Sequence, residues 1–259
     1  MTDQFQTKGW CRFDADPAVS AWVAAALPFA HQAVADPANA HWMRCGGTWF
    51  AGVNALDNDK TGAIGGGSPL AGRIVDHAYG LAGGRFDWDR AQVSVCYPGY
   101  PAQGEDESDA SFAYRLNRDS AHVDGLLPVG PARRRFLREH HRFILGLPVG
   151  EGDAAAAPTV VWEGSHRIMR AAFTAAFGTA PPHTWRDIDV TDVYHAARRK
   201  VFADCRKVTL TGRAGEAYLI HRLALHGIAP WGDGATSASR LIIFFRPELA
   251  EPAAWLKAA

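Results

Sequence analysis

Two side chains of metal-binding type, His122 and Asp124, stand two residues apart in this sequence. On an extended strand, side chains at positions i and i+2 project from the same face, so this pair could bind one metal ion together. A later stretch, 216–227, contains His221 and His226, either of which could supply a third ligand from another strand. Two imidazoles and one carboxylate on one face of an octahedral ion leave the opposite face open, which is the arrangement expected of non-haem Fe(II). A His-x-Asp triplet alone is weak evidence for metal binding, and a possible third ligand makes that evidence stronger.

An arginine, Arg240, stands at the head of the very apolar stretch 241–245. A guanidinium at the edge of a protein interior is costly to bury unless it meets an anion, and its planar fork suits a carboxylate. The alternative is that Arg240 ends the strand in solvent. The residue types leave both interpretations open.

The elements that would position these residues begin with helices. Asp16 followed by Pro17 is a helix start, with a capping side chain and a proline at the first helical position. Ser68 and Pro69 repeat this signal, and Gly83 should end the second helix. We therefore expect residues 1–90 to be mostly helical.

After residue 90 the pattern favours strands, over 92–97, 111–116, 141–149, 159–162, 207–210, 217–225 and 240–245. Two helical patterns interrupt them between about 166 and 204, the first with Ser165 as its expected cap. Helices in front and many strands behind, without regular alternation, predict an α+β fold with a mainly β core built as a sandwich or barrel. We expect a single domain, 1–259, with the β core in 91–248.

The composition narrows the classes of partner. The 259 residues carry 27 basic and 27 acidic side chains, so no overall field would recruit nucleic acid or a membrane surface. We expect no apolar run long enough to cross a bilayer, and the N-terminus lacks the features of a signal peptide. The four cysteines, Cys11, Cys45, Cys96 and Cys205, are scattered, which is typical of free thiols in a reducing compartment. We expect a cytoplasmic protein that acts on a small molecule.

Several motifs in order resemble the phytanoyl-CoA dioxygenase-like group of Fe(II)/2-oxoglutarate oxygenases. They are His122-Val123-Asp124, the turn Trp162-Glu163-Gly164-Ser165-His166, the run from Gly215 to His221 with Leu225-His226-Gly227 after it, and Arg240. The resemblance covers 92–247. The turn departs from the family's usual Pro-Gly-Ser-His in having Glu163 in place of the proline.

The resemblance implies a double-stranded β-helix, the jelly-roll or cupin-like core, with the N-terminal and inserted helices packed outside. It implies that His122, Asp124 and His226 bind Fe(II), and that Arg240 pairs with the distal carboxylate of 2-oxoglutarate. Dioxygen would be consumed, succinate and CO2 released, and a small-molecule substrate hydroxylated. Because the acid Asp124 is present, and related halogenases replace it with a small residue, hydroxylation is the favoured outcome. Trp162 is a weaker candidate for contact with substrate.

Some alternatives stay open at this point. His221 and His226 are five residues apart, so on a regular strand they face opposite sides and only one can reach the metal. The family pattern favours His226, which leaves His221 near the ligands or facing the substrate. A cupin-like protein could use the same triad with Zn²⁺ or Mn²⁺ and without 2-oxoglutarate. A binding protein could also have kept the barrel and lost catalysis.

Overall fold

A seven-stranded antiparallel sheet forms the centre of the molecule, whose computed structural model describes residues 2–257. Its strands in spatial order are β1 (Trp10–Phe13), β10 (Ala217–His221), β7 (Phe143–Pro148), β12 (Arg240–Phe245), β4 (Gln92–Cys96), β3 (Trp49–Phe50) and β2 (Met43–Arg44). The central strands β7 and β10 are buried along their whole length, as expected of a sheet covered on both faces.

A second sheet of three strands faces the first. Its order is β11 (His226–Ile228), β8 (Thr159–Trp162) and β9 (Lys207–Leu210). Val161 and Leu210 from this sheet pack with Tyr218, Ile220 and Phe244 from the large sheet in one apolar cluster. A separate two-stranded ribbon, β5 (Leu126–Val129) and β6 (Arg134–Leu137), stands beside the pair of sheets.

Helices cover the outer faces of both sheets. The helices are α1 (Thr2–Lys8), α2 (Pro17–Ala35), α3 (Arg73–Ala82), α4 (Asp109–Asn117), α5 (Ser165–Phe177) and α6 (Thr191–Asp204), with 3-10 turns at Pro37–Trp42, Pro182–Asp187 and Pro252–Leu256. Trp22 of α2 contacts Phe245 of the large sheet, with ring centroids 5.6 Å apart. Phe202 of α6 contacts Trp162 of the small sheet at 5.4 Å. The fold is therefore mixed α and β, in layers of helix, sheet, sheet and helix.

Most predicted elements are present, and four expectations were wrong in type or extent. Residues 1–90 are not mostly helical outside the β core, because they also contribute β1, β2 and β3 to the large sheet. Residues 111–116 form part of α4 and not a strand, because Ser108 accepts a hydrogen bond from the Ser111 amide and caps a helix there. The predicted strand 217–225 is too long: β10 ends at His221, residues 222–225 form a turn, and β11 begins at His226 in the other sheet. The helix expected from Pro69 begins only at Arg73, after Gly72, whose φ of 119° does not fit a helix.

We expected no apolar run long enough to cross a bilayer, and this expectation was wrong. Helix α2 has 19 residues and a mean hydropathy of 1.3, so by length and composition it could span a membrane. Its buried residues, among them Val19, Trp22 and Val23, belong to the cluster that covers the large sheet. About a third of this apolar stretch is buried, so α2 packs against the large sheet through one face.

Candidate metal centre

Backbone hydrogen bonds between His122 and His226 create the site. The His122 amide donates to the His226 carbonyl at 2.8 Å, and the His226 amide donates to the His122 carbonyl at 3.1 Å. His122 therefore lies in an isolated bridge and Asp124 in the turn that follows, and not on the regular strand that we expected. The neighbour of His226 must be glycine, because a Cβ at Gly227 would collide with the carbonyl of Asp119. This close approach brings two distant segments of the chain together.

The two imidazoles are oriented as metal ligands. Nδ1 of His122 lies 2.9 Å from the Ser120 carbonyl, and Nδ1 of His226 lies 2.9 Å from the Ala224 carbonyl. A carbonyl can only accept, so each ring carries its proton on Nδ1 and turns the lone pair of Nε2 towards the other ligands. The ligand atoms of His122, Asp124 and His226 all lie within 4.8 Å of one another. Fixing the tautomer through a carbonyl is typical of metal-binding histidines.

The carboxylate of Asp124 is held in its ionised form. Oδ1 lies 3.1 Å from Nε2 of His122 and 3.7 Å from Nε2 of His226, and Oδ2 lies 3.2 Å from Nη1 of Arg246. Burial alone would raise the pKa of Asp124, but the charge of Arg246 and the two imidazoles outweigh it and hold this pKa well below the usual 3.8. Burial would likewise lower the pKa of His122. In its imidazolium form, however, Nε2 also carries a proton and donates it to Asp124, which raises this pKa above 6.5; a metal ion at this point would take the place of that proton.

Two cavities meet at His122 and Asp124, and His226 lines the inner one. The inner cavity has a volume of about 160 Å³ and lies between the two sheets, where Ser94, Thr159, Ile220, Phe244 and Arg246 are among its lining residues. The outer cavity has a volume of about 730 Å³ and opens past the β5–β6 ribbon. His122, Asp124 and Arg246 line both. A ligand in the inner cavity and another in the outer cavity could therefore reach the same metal.

Arg240 lies next to the residues at one end of the inner cavity. Its Nε donates to the Ala157 carbonyl at 2.9 Å, and its Nη2 lies 3.0 Å from Sγ of Cys96. Ala157 and Cys96 pack against Tyr100, which lines the inner cavity. Nη1 of Arg240 is buried and has no hydrogen-bond partner within residues 2–257. Arg240 is thus not a strand end in solvent, although its side chain does not line the inner cavity directly.

The structure places two other candidates away from the site. Trp162 lines neither cavity: it lies on the outer face of β8, in the cluster shared with α5 and α6, and this position gives no support to a contact with substrate. His221 is fully buried, 4.9 Å from the ring of His166, and accepts from Nη2 of Arg170 at 3.1 Å. Burial holds the pKa of His221 well below 6.5, and the ring faces neither cavity.

Sequence reasoning missed several residues around the ligands. Arg246 was overlooked, although its even spacing from Arg240 along one strand was a usable signal for a shared face. His141 was not considered as a site residue, yet it is buried in the wall of the outer cavity, with Nε2 3.0 Å from Oε2 of Glu139. Ser165 does not cap α5: Gly164 occupies that position, and the Ser165 hydroxyl accepts from the Leu225 amide at 2.9 Å.

Solved structures share this arrangement of sheets and helices. The structure of SnoK, a non-haem α-ketoglutarate-dependent carbocyclase from nogalamycin biosynthesis, matches with a TM-score of 0.55 and 11% identity over 95% of this chain and 82% of that chain. The structure of EctD from S. alaskensis with bound Fe matches with a TM-score of 0.51 and 16% identity over 95% of this chain and 75% of that chain. No protein-family model matches the sequence, and no curated protein matches it.

These comparisons establish the type of fold. Identities of 11% and 16% carry no information about substrate or reaction. Any statement about chemistry must therefore come from the residues at the three-ligand site.

Proposed function

We propose that the protein is an Fe(II)/2-oxoglutarate-dependent oxygenase with a double-stranded β-helix core. The observation that carries this proposal is the convergence of His122, Asp124 and His226, with both Nε2 lone pairs and Oδ1 of the acid directed at one point. Two neutral imidazoles and one carboxylate are the ligand set preferred by non-haem Fe(II) in oxygenases. The fold shared with SnoK and EctD is consistent with this chemistry.

The co-substrate 2-oxoglutarate would occupy the inner cavity, with its distal carboxylate towards Arg240. The buried, unpartnered Nη1 of Arg240 supports this position, since a buried guanidinium nitrogen without a partner is costly unless an anion meets it. Arg240 lines a separate small cavity, and the packed contact of Cys96 with Tyr100 lies between it and the inner cavity, so this position requires those side chains to move. Ser94 and Thr159 place hydroxyl groups along the inner cavity.

The substrate would enter the outer cavity, on the opposite side of the ligands. With dioxygen as the oxidant, iron and 2-oxoglutarate would supply oxidative decarboxylation of the co-substrate to succinate and CO2, one oxygen atom going to succinate and the other to a substrate C–H bond. Arg246 holds Asp124 ionised and in place, and the backbone carbonyls of Ser120 and Ala224 hold both imidazoles in the tautomer that binds a metal. With the acid retained, hydroxylation is the outcome we propose.

The test is anaerobic addition of Fe(II) and 2-oxoglutarate to the full-length chain, followed by visible absorption spectroscopy. We expect a charge-transfer band in the wild type, no band with His122→Ala or Asp124→Ala, and a band that needs much more 2-oxoglutarate with Arg240→Ala. Arg138→Ala, which alters a ribbon arginine that lines neither cavity, is the control and should behave as wild type. Metal binding without any band would favour a metalloprotein that does not use 2-oxoglutarate, and an unchanged band with Arg240→Ala would contradict the assigned role of that residue.

A further inference from the structure

Arg135 places a positive charge without a counter-ion in the wall of the outer cavity. It is half-buried, and its Nη1 donates to the Leu126 carbonyl at 3.2 Å. Within residues 2–257 it forms no ion pair with a carboxylate, whereas the adjacent Arg134 pairs with Asp189 and Asp192. The two arginines follow each other on β6, so they project from opposite faces of the ribbon.

The environment of Arg135 solvates its charge poorly. Burial lowers its pKa, and the positive charges of Arg133 and Arg198 add to this effect. A half-buried guanidinium among other cations gains most from an anion that brings several acceptor oxygens. No residue of β6 supplies a carboxylate to Arg135.

Other charged side chains of the outer cavity already have partners. Arg246 pairs with Asp124, Glu139 with His141, and Arg90 with Asp57. Oδ1 of Asp89 accepts from the Arg246 amide at 2.8 Å. Glu248 is exposed at the rim and therefore remains hydrated. Among the described residues that line this cavity, Arg135 is therefore a cation that is partly buried and has no carboxylate partner.

One wall of the same cavity is apolar. It is formed by Trp42, Val53, Leu126, Leu127 and Pro128. Leu127 is 41% exposed, so this wall presents apolar surface to solvent. A volume of about 730 Å³ lies in the range of sites that enclose drug-sized ligands.

We propose that the outer cavity binds a bulky amphipathic anion, whose apolar part lies against the wall of Leu126, Leu127 and Pro128 and whose carboxylate, sulfonate or phosphate group is bound by Arg135. The inference rests on the proposed function in that this molecule would be the substrate, held with its apolar part beside the three metal ligands. Arg135 is then a specificity-determining residue that contacts the substrate at a distance from the oxidised carbon.

The test compares two fluorescent probes that differ mainly in charge. The anionic probe is 1-anilinonaphthalene-8-sulfonate, and the neutral one is N-phenyl-1-naphthylamine. Each is titrated into the full-length chain without added metal, and the ratio of the two dissociation constants is taken, so that hydrophobic contributions largely cancel. Arg135→Gln should shift this ratio by about tenfold against the anionic probe, the size of a charge-assisted hydrogen bond. Arg134→Gln is the matched control and should shift it by less than about twofold, as expected of an exposed ion pair.

A third variant checks where the probes bind. Leu127→Glu places a charge on the exposed apolar wall and should weaken the binding of both probes. An unchanged ratio in Arg135→Gln, an equal shift in Arg134→Gln, or full binding of both probes to Leu127→Glu would each overturn the proposal. The charge-transfer band of iron and 2-oxoglutarate is measured separately on Arg135→Gln, so a failure of the oxygenase assignment is distinguishable from a failure of this inference.

Discussion

Arg240 and Arg246 stand six residues apart at the two ends of one strand, and they have different surroundings. Arg246 follows β12 and donates to Asp124 through Nη1 and to Gln92 through Nη2. Arg240 begins β12 and contacts neither the triad nor the outer cavity. Nη1 of Arg246 donates to Oδ2 of Asp124, whereas Oδ1 is the oxygen near the two imidazoles. Arg246 is therefore a positioning residue for the ligand Asp124 and does not itself bind the metal.

At the residue scale, Arg246→Gln should weaken metal binding by about 10- to 100-fold, the usual effect of removing a group that orients a ligand. The reason is that Oδ2 of Asp124 loses both a hydrogen bond and the nearby positive charge. The measurement is the dissociation constant for Mn(II), from calorimetry or from the loss of the free-ion electron paramagnetic resonance signal, in the absence of 2-oxoglutarate.

Arg240→Gln is the matched control, since it removes an equal charge from the same strand. Its affinity for Mn(II) should remain within about twofold of wild type, because residues without shared partners act independently. Equal losses in the two variants would indicate a general effect of charge and would contradict the positioning role of Arg246.

At the scale of elements, one carboxylate links the two helices that cover the large sheet. Oδ1 of Asp16 accepts from the Ala18 amide at 2.9 Å and caps α2. Oδ2 accepts from the Arg73 amide at 2.9 Å, at the start of α3. These bonds, with that of the Arg73 amide first, outweigh burial and lower the pKa of Asp16 below 3.8. The single side chain therefore fixes two helix starts relative to each other.

Asp16→Ala should lower the free energy of unfolding by about 1–2 kcal/mol at pH 7, the range for loss of a helix cap. Because the folded-state pKa is depressed, the contribution of Asp16 is fully present above pH 3.8 and should disappear as the pH falls through the lower folded value. Urea denaturation at several pH values measures both effects. Asp36→Ala, which removes an exposed cap of one 3-10 turn, is the comparison and should cost less. An equal cost for both variants would show that the second contact of Asp16 contributes nothing.

At the scale of the whole molecule, Tyr218 connects the two sheets across the core. Its ring lies over Gly146, where an added Cβ would collide with ring carbons. Its hydroxyl lies 2.9 Å from Oγ1 of Thr159 in the small sheet. The absence of a side chain at Gly146 therefore lets a residue of β10 reach the opposite layer, next to the inner cavity.

Gly146→Ala should destabilise the protein by about 1–3 kcal/mol, the usual cost of overpacking a filled core. Gly150→Ala is the control. Gly150 lies two residues after the end of β7, and a Cβ there would meet nothing within 4 Å. Urea denaturation of both variants gives the difference. A stability of Gly146→Ala equal to that of the control would mean that Tyr218 can move without cost.

The sequence alone was enough to predict the elements whose signals are local. The cap and proline at Asp16 and Pro17 specified the start of α2, and apolar runs specified β8 and β12, because capping and side-chain alternation act between near neighbours. The types of the three ligands were also readable. Residues 111–116 were missed because an alternating apolar pattern outweighed the cap at Ser108, which a short helix of nine residues needs.

Only the tertiary structure decided which face each side chain meets. Strand β8 is buried on both faces, so its composition could not tell that Thr159 faces the inner cavity and Trp162 faces α6. Nor could it tell that His122 and His226, 104 positions apart in the numbering, exchange backbone hydrogen bonds, or that Arg246 meets Asp124. Such contacts depend on the register of strands and the packing of sheets, which are set by the burial of the whole chain and not by any one segment.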